Sequence, residues 1–271
     1  MFKQSRKPTF PIYFPHRPTE DSYRAPTVNS SGNRSMTPPV PPADQWISPE
    51  KYGRTVDEYL ASGKRDTQAM LDIVKACGVS IETLGDILEF GCGDGRMIRW
   101  LEHLAGVRQI WGSDIDASRI LWCKQNLSPP FRFLTNTTVP HLPFEDRKFG
   151  FVFAGSVFSH IDDLADAWLA ELQRILRPGG ILFITVHLKH DVEILATKYP
   201  ESGLAKRLRD HPDYDRVRAG DFDVFTIGRS SRSFVFYDLE FLKRSIEPMF
   251  RILSVTEEVR LYQNALVLQR V

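Results

Sequence analysis

Three glycines stand at alternate positions in the segment Glu-Phe-Gly-Cys-Gly-Asp-Gly, as Gly91, Gly93 and Gly95. Because glycine has no Cβ, such a backbone can turn tightly and approach a ligand closely. The segment follows a short apolar run and precedes helix-like spacing, so the N–H groups at the start of that helix favour an anion. The pattern predicts a loop that binds the anionic part of a nucleotide-like ligand.

The position of the third glycine distinguishes between nucleotide ligands. A dinucleotide-binding loop has the pattern G-x-G-x-x-G. Here the third glycine comes one residue earlier, and Arg96 occupies the dinucleotide position. The spacing therefore argues against NAD and FAD.

Two acidic residues near the loop are candidate ligand-binding groups. Glu89 directly precedes Phe90 and the loop, where its carboxylate suits an ammonium group. Asp114 ends the next predicted strand, at the distance from the loop where such folds bind a ribose, and a carboxylate suits the two donors of a diol. Ile115 follows and is placed to pack on an adenine face. Asp116 is a rival, but Asp114 is preferred because it directly ends the strand.

Apolar runs and amphipathic segments alternate along the chain from residue 87 onward. Predicted strands cover 87–90, 109–112, 131–134, 151–154, 181–186, 251–259 and 264–271, and predicted helices cover 66–76, 97–104, 118–127, 164–176, 204–208 and 237–250. The runs at 151–154 and 181–186 are apolar throughout, as in strands buried on both faces. This order predicts an α/β fold, doubly wound, with a parallel sheet and helices on both faces.

Several segments in this order resemble the motifs of the class I, Rossmann-like S-adenosylmethionine-dependent methyltransferase superfamily. They are the glycine loop with Asp114, residues 142–149 before the fourth strand, residues 172–180 before the fifth, and residues 262–268 in the last. The resemblance leaves residues 188–233 unmatched. It implies a mostly parallel seven-stranded sheet with an antiparallel last strand, and S-adenosylmethionine as the cofactor.

On that resemblance the loop binds the methionine carboxylate of the cofactor, and Glu89 serves its ammonium group. The implied cofactor-binding residues are Glu89, Gly91, Cys92, Gly93, Gly95, Asp114, Ile115, Asn136, Thr137, Thr138 and Ser156. Two places depart from the family pattern. Gly150 stands where the family often has Asp before the fourth strand. The second place is the loop after the third strand, which contacts adenine in the family and often has Asp there. This chain has an amide and two hydroxyls at residues 136–138, and these groups can still hydrogen-bond the adenine edge.

His160 is the candidate catalytic residue. It follows the fourth strand, and ligands of open α/β sheets bind beyond the carboxyl ends of the strands. A near-neutral pKa suits a general base that removes a proton from an oxygen or nitrogen acceptor. The alternative is a helix-start histidine bonded to a neighbouring backbone group. His187 and His190 follow the fifth strand and are further candidates for the general base. Together with Asp191 they offer too few ligands to indicate a metal ion, so no metal site is expected.

The chain divides into an arm and a domain. Residues 1–45 hold nine of the 18 prolines and few apolar residues, which predicts a disordered or surface-draped arm. Residues 46–271 are predicted to form the methyltransferase domain. Within it, 46–85 supply N-terminal cap helices, the first beginning at Ser48, and 188–233 form a lid-like insertion that selects the acceptor and closes over it.

Composition narrows the classes of function. The net charge is +1, from 35 basic and 34 acidic residues, so no nucleic-acid partner is expected. No apolar run is long enough to span a membrane. The three cysteines fit neither a metal site nor a disulfide framework, which favours a reducing, cytoplasmic setting.

The leading functional hypothesis is methyl transfer to an oxygen or nitrogen, less readily a carbon, of a small-molecule or glycan-type acceptor. The motif Asn-Pro-Pro-Tyr/Phe, typical of amino methylation of nucleobases and amides, is absent after the fourth strand. The alternatives are a protein methyltransferase and an inactive cofactor-binding scaffold. The oligomeric state stays open.

Overall fold

The computed structural model describes residues 39–42, 46, 55–228 and 233–271. The predicted helix start at Ser48, and the predicted arm apart from residues 39–42, lie outside the described residues. Within the described ranges, no helix is long and apolar enough to cross a membrane.

A nine-stranded sheet forms the centre of the fold. Its strands are β1 (Ile87–Phe90), β2 (Ile110–Asp114), β3 (Arg132–Thr135), β4 (Phe149–Ala154), β5 (Leu176–Leu188), β6 (Val224–Ile227), β7 (Phe234–Tyr237), β8 (Phe250–Arg260) and β9 (Gln263–Arg270). The order β3-β2-β1-β4-β5 is parallel, β9 pairs antiparallel with β5, and β8 pairs with β9. These seven strands confirm the predicted mostly parallel sheet with an antiparallel last strand.

Helices cover both faces of the sheet. In the part of the chain that the structure describes, the α-helices are α1 (Val56–Ala76), α2 (Ala117–Asn126), α3 (Ala165–Ile175), α4 (Asp191–Thr197), α5 (Gly203–Arg209), α6 (Tyr214–Arg218) and α7 (Leu239–Ile246), with 3-10 helices at Ile81–Thr83 and Ile98–Leu104. One apolar cluster joins Trp168 of α3 and Ile246 of α7 to one face. A second joins Met70 of α1 and Ile120 of α2 to the other. The doubly wound architecture is therefore confirmed, and β1 and β4 are buried along their whole length.

The start of α1 lies well before the predicted helix over 66–76. Thr55 and Glu58 form a capping box, in which Glu58 N donates to Thr55 Oγ1 at 3.2 Å and Thr55 N donates to Glu58 Oε2 at 3.1 Å. Such a pair satisfies two N–H groups that the first helical turn cannot satisfy itself. The T-x-x-E spacing at 55–58 was the sequence signal for this start.

The segment 188–233 has more regular structure than the one helix predicted at 204–208. It contains α4, α5, α6 and strand β6, which forms an antiparallel hairpin with β7. Its helices bury their own apolar cluster, which includes Leu195, Leu208 and Phe225. β7 extends the sheet beside β5 at His187 and Leu188. The insertion is thus a small packed layer at the carboxyl end of β5, and its role as a lid stays a prediction.

Backbone packing explains why Gly150 replaces the aspartate that the family often has there. A Cβ at Gly150 would lie 1.3 Å from the carbonyl oxygen of Leu84. The two segments are held together, since Gly150 N donates to Asp86 O at 2.9 Å. A side chain of any size would force this backbone contact apart.

Gly150→Ala is expected to lower the free energy of unfolding by about 2 kcal/mol or more, because an overpacked site must move the backbone. Urea unfolding followed by circular dichroism measures the effect. Gly106→Ala is the matched control: a Cβ there meets nothing within 4 Å, and we expect a change of at most about 1 kcal/mol. Equal stability of the two variants would contradict the packing argument.

Candidate functional site

The glycine loop follows β1 and has the left-handed backbone that its sequence predicts. Gly91, Gly93 and Gly95 have φ values of 77°, 53° and 75°. A Cβ on Gly91 would lie 2.3 Å from Cγ2 of Val157, and one on Gly95 would lie 2.5 Å from Cδ1 of Leu127. Both conformation and space therefore require glycine at these two positions.

Asp114 and Asp116, the two rival carboxylates, have different roles in the structure. Asp114 accepts hydrogen bonds from Gly93 N at 2.7 Å and from Asp116 N at 2.8 Å. Asp116 is the N-cap of α2 and accepts from the backbone N–H groups of Ser118 and Arg119. Asp114 thus joins the end of β2 to the glycine loop, and each of its oxygens keeps a second lone pair. Its predicted bond to a ribose agrees with this position.

Asn136 lies directly beyond the end of β3, next to Asp114 along the edge of the sheet. Its backbone N–H donates to Asp114 O at 3.0 Å, and its Nδ2 donates to Thr137 O at 2.9 Å. The buried Oδ1 atom has no hydrogen-bond partner in the described part of the chain. An acceptor in this state fits the amino group of an adenine. The side chains of Thr137 and Thr138 are exposed, and that of Ile115 is half-buried.

Glu89 is buried at the base of the loop, where its Oε2 accepts from Ile98 N at 2.9 Å. Burial raises the pKa of this carboxyl to about 8, while the charges of Arg96 and Arg260 oppose the increase. A carboxyl in such a place needs a cation to become fully ionised. The ammonium group that the sequence analysis assigned to Glu89 is a cation of that kind.

The Cys92 side chain points into the core under the loop. It is 4% exposed and packs in the cluster that contains Phe133 and Ile98. Burial raises the pKa of its thiol well above the usual value. The predicted contact of Cys92 with a cofactor can therefore involve only its backbone.

Ser156, just beyond β4, is held in a strained conformation by polar groups from two other strands. Its φ is 59°, which is uncommon for a residue with a Cβ. Ser156 N donates to Thr185 Oγ1 at 2.7 Å, and Ser156 Oγ donates to Gln263 Oε1 at 2.6 Å. Gln263 Nε2 also donates to Ser159 Oγ at 3.2 Å. Gln263 thus fixes the loop that leads to His160, a role that sequence spacing did not indicate.

His160 lies at the carboxyl end of β4, as predicted, and is bonded to a backbone carbonyl. Its Nδ1 lies 2.6 Å from Ser233 O, and its ring centroid is 5.2 Å from that of Phe234. The bonded carbonyl belongs to the last residue of the insertion, directly before β7, rather than to a sequence neighbour. This contact orients the ring, and the proposed base would be Nε2.

The two other histidines lie in different surroundings. His187 is buried and stacks between Phe236 and Tyr262, with centroids at 5.0 and 5.3 Å. His190 Nε2 lies 3.1 Å from both Asp191 Oδ1 and Asn264 Oδ1. Among the described residues, no group of three or more His, Cys, Asp or Glu is arranged to hold a metal ion.

The start of α1 contacts the glycine loop from the side opposite β2. Tyr59 OH donates to Asp94 Oδ1 at 2.6 Å, and the Tyr59 ring stacks on Trp46 at 5.0 Å. Arg99 Nη1 donates to Pro39 O at 2.7 Å, and Arg99 Nε donates to Gly95 O at 2.8 Å. The N-terminal cap over the site stays a prediction.

Comparison with known proteins agrees with this geometry. Residues 88–184 match the family model described as "Methyltransferase domain". The phthiotriol/phenolphthiotriol dimycocerosates methyltransferase 1 of Mycobacterium ulcerans is 31% identical over 99 residues, and the fatty-acid O-methyltransferase of Mycolicibacterium smegmatis is 29% identical over 99 residues. A solved S-adenosylmethionine-dependent methyltransferase of Clostridium acetobutylicum superimposes with a TM-score of 0.54 at 11% identity, over 76% of this chain and 91% of that one. Residues 88–184 are thus similar to a methyltransferase domain, and the chain shares its fold with this solved enzyme.

Each of the two curated alignments covers 36% of this chain and 36% of the relative, so the chain spans about a third of the length of these relatives. The part matched by the family model contains the glycine loop, Asp114, Asn136 and His160. It does not contain Gln263 or Arg260. The match to the family model therefore says nothing about the groups that β8 and β9 add to the site.

Tyr59→Phe is expected to lower the free energy of unfolding by about 1–3 kcal/mol, because the buried Asp94 carboxylate then loses a donor. Chemical denaturation at pH 7.5 measures the difference. Tyr214→Phe, which removes a hydroxyl from a half-buried tyrosine of α6, is the control and should unfold like the parent. Unchanged stability in Tyr59→Phe would show that the contact does not hold α1 on the loop.

Proposed function

We propose that the chain is an S-adenosylmethionine-dependent methyltransferase that transfers the methyl group to an oxygen or nitrogen of a small-molecule acceptor. The observation that supports this most is the order of polar groups along the carboxyl edge of the sheet. Asn136 follows β3, Asp114 ends β2, the glycine loop follows β1, and Ser156 follows β4. Adjacent strands therefore present, in order, partners for an adenine, a ribose diol and an amino-acid group.

Residue assignments follow from that order. Asn136 Oδ1 is proposed to accept from the adenine amino group, with Thr137, Thr138 and Ile115 beside the ring. Asp114 would accept from the ribose hydroxyls, and the N–H groups of the glycine loop would face the carboxylate. Glu89 would stabilise the ammonium group, and Ser156 would border the amino-acid end.

Methyl transfer requires the protein to position the acceptor against the methyl group more than it requires covalent catalysis by a side chain. When bound, the cofactor supplies an activated methyl group and a good leaving group. The loop after β4 and the layer formed by 188–233 are proposed to hold the acceptor in line and exclude water. His160 is oriented through Nδ1 by the Ser233 carbonyl, so Nε2 would accept the proton of a hydroxyl or amine.

An apolar acceptor with one reactive polar atom is the acceptor class that we favour. The aromatic rings of Phe234 and Tyr262 lie with His160 and His187 at the carboxyl ends of β4 and β5. One curated relative is named for phthiotriol/phenolphthiotriol dimycocerosates as acceptors, and another for fatty acids. A glycan-type acceptor is a second candidate, while a protein acceptor or an inactive scaffold remain outcomes of the test below.

Calorimetric titration tests cofactor binding. S-adenosylmethionine and S-adenosylhomocysteine are expected to bind with Kd values in the micromolar range, about −8 kcal/mol, and NAD is expected not to bind. Asp114→Ala should abolish binding because it removes the diol acceptor and the anchor of the loop. Asp116→Ala, which removes the cap of α2 and the ion pair with Arg119, should keep it.

Methyl transfer is then assayed with labelled S-adenosylmethionine and a panel of fatty acids, phenols, amines and glycosides. Transfer to the apolar members would support the proposed acceptor class. Cofactor binding without transfer to any acceptor, peptides included, would favour the inactive scaffold. Absence of binding by the folded protein would contradict the proposed function altogether.

The protonation of Glu89 predicts that the affinity for the cofactor depends on pH. Burial raises its pKa to about 8, so below that pH the free protein holds a proton there that a ligand ammonium group would displace. Binding of S-adenosylhomocysteine at pH 7 should therefore release up to one proton, and affinity should rise as the pH increases towards 8. Calorimetry in buffers of different ionisation enthalpy counts the protons. Glu89→Gln should abolish the release, and proton uptake by the parent would contradict the assignment.

A further inference from the structure

Arg260, the last residue of β8, brings a positive charge to the carboxyl end of β4. A Cβ built on Gly155 would lie 2.7 Å from Arg260 Nη1. The Arg260 side chain is 10% exposed, and its Nε lies 3.1 Å from Asp66 Oδ2 of α1. Three elements that are distant in sequence therefore meet at this guanidinium.

The charges around Arg260 alternate in sign. Arg96 Nη2 lies 2.8 Å from the same oxygen of Asp66. Both arginines also act on the buried Glu89 carboxyl, whose pKa their charges lower against the effect of burial. Two cations and two acids thus share one partly enclosed space between α1 and the ends of β1 and β4. A zwitterion presents the complementary pair of charges.

The sheet order gives the direction in which the nucleoside must lie. Asn136 and Asp114 place adenine and ribose over β3 and β2, so the rest of an elongated ligand extends over β1 towards β4. The amino-acid group would therefore end beside Gly155, where Arg260 lies. Guanidinium groups bind carboxylates through a planar pair of donors, which a lysine cannot reproduce.

We propose that Arg260 binds the carboxylate of the amino-acid part of S-adenosylmethionine, and that Asp66 is its counter-ion when no ligand is bound. This inference rests on the proposed function. It adds a binding residue from outside the segment that the family model matches. A Cβ at position 155 would have to move the guanidinium from its present place.

The test compares S-adenosylmethionine with its decarboxylated form, two ligands that differ by the carboxylate alone. In calorimetry the parent protein should prefer the carboxylated ligand by about tenfold or more, as for a charged hydrogen bond. Arg260→Met should reduce that preference to about twofold or less, mainly by weakening S-adenosylmethionine. Arg65→Met is the matched control: Arg65 pairs with the same Asp66, at 3.7 Å, but its side chain is 70% exposed. It should leave the preference unchanged.

Two further variants keep the proposal testable if Arg260→Met does not fold. Arg260→Lys keeps the charge without the planar fork and should lose part of the preference. Asp66→Asn removes the competing counter-ion and should retain or increase it. An unchanged preference in both Arg260 variants, or its loss in Asp66→Asn, would overturn the inference while the cofactor assignment stands. A parent protein that binds neither ligand would overturn the proposed function and the inference together.

Discussion

The hydrogen bond from Gly93 N to the Asp114 carboxylate joins the carboxyl ends of β1 and β2. Three glycines with positive φ form a loop that costs conformational entropy to order, so it persists only where its surroundings hold it. Ser113 O accepts from Gly91 N and Cys92 N at 2.8 and 2.9 Å. The end of β2 thus shapes the loop of β1 before any ligand contributes.

The second constraint on the site is electrostatic. Asp94 and Glu89 are buried, and a buried carboxylate is tolerated only with donors or cations nearby. Asp94 receives the Tyr59 hydroxyl, and Arg99 binds the loop carbonyls of Asp94 and Gly95. The Tyr59 hydroxyl thus attaches α1 to the glycine loop by a polar contact, while Arg99 holds the loop to the 3-10 helix that follows it. A zwitterionic ligand would complete this arrangement of charges.

Much of the fold, and the places of the glycine loop and Asp114 in it, could be predicted from the sequence, because their signals are local. The glycine spacing, the acid at the end of β2 and the apolar runs of β4 and β5 each lie within a few residues. The capping box at Thr55 was equally local but was missed, so the predicted helix began too late. The hairpin of β6 and β7 was missed because its strands are short and separated by a polar segment.

The remaining site residues have no local signature. Gln263 reaches the loop after β4 from β9, and Arg260 reaches Asp66 from the end of β8. Only the pairing of β9 with β5 brings these residues to the site, and no spacing within either segment indicates it. Gly150 shows the reverse case, in which a departure from the family pattern has a packing cause, the contact with Leu84.

A crystal structure of the protein with S-adenosylhomocysteine would test the central claim most directly. The account predicts adenine at Asn136 over β3, ribose hydroxyls on Asp114, and the amino-acid group between the glycine loop and Gly155. A ligand bound in the opposite direction, or elsewhere than the carboxyl edge of β3, β2, β1 and β4, would contradict the account.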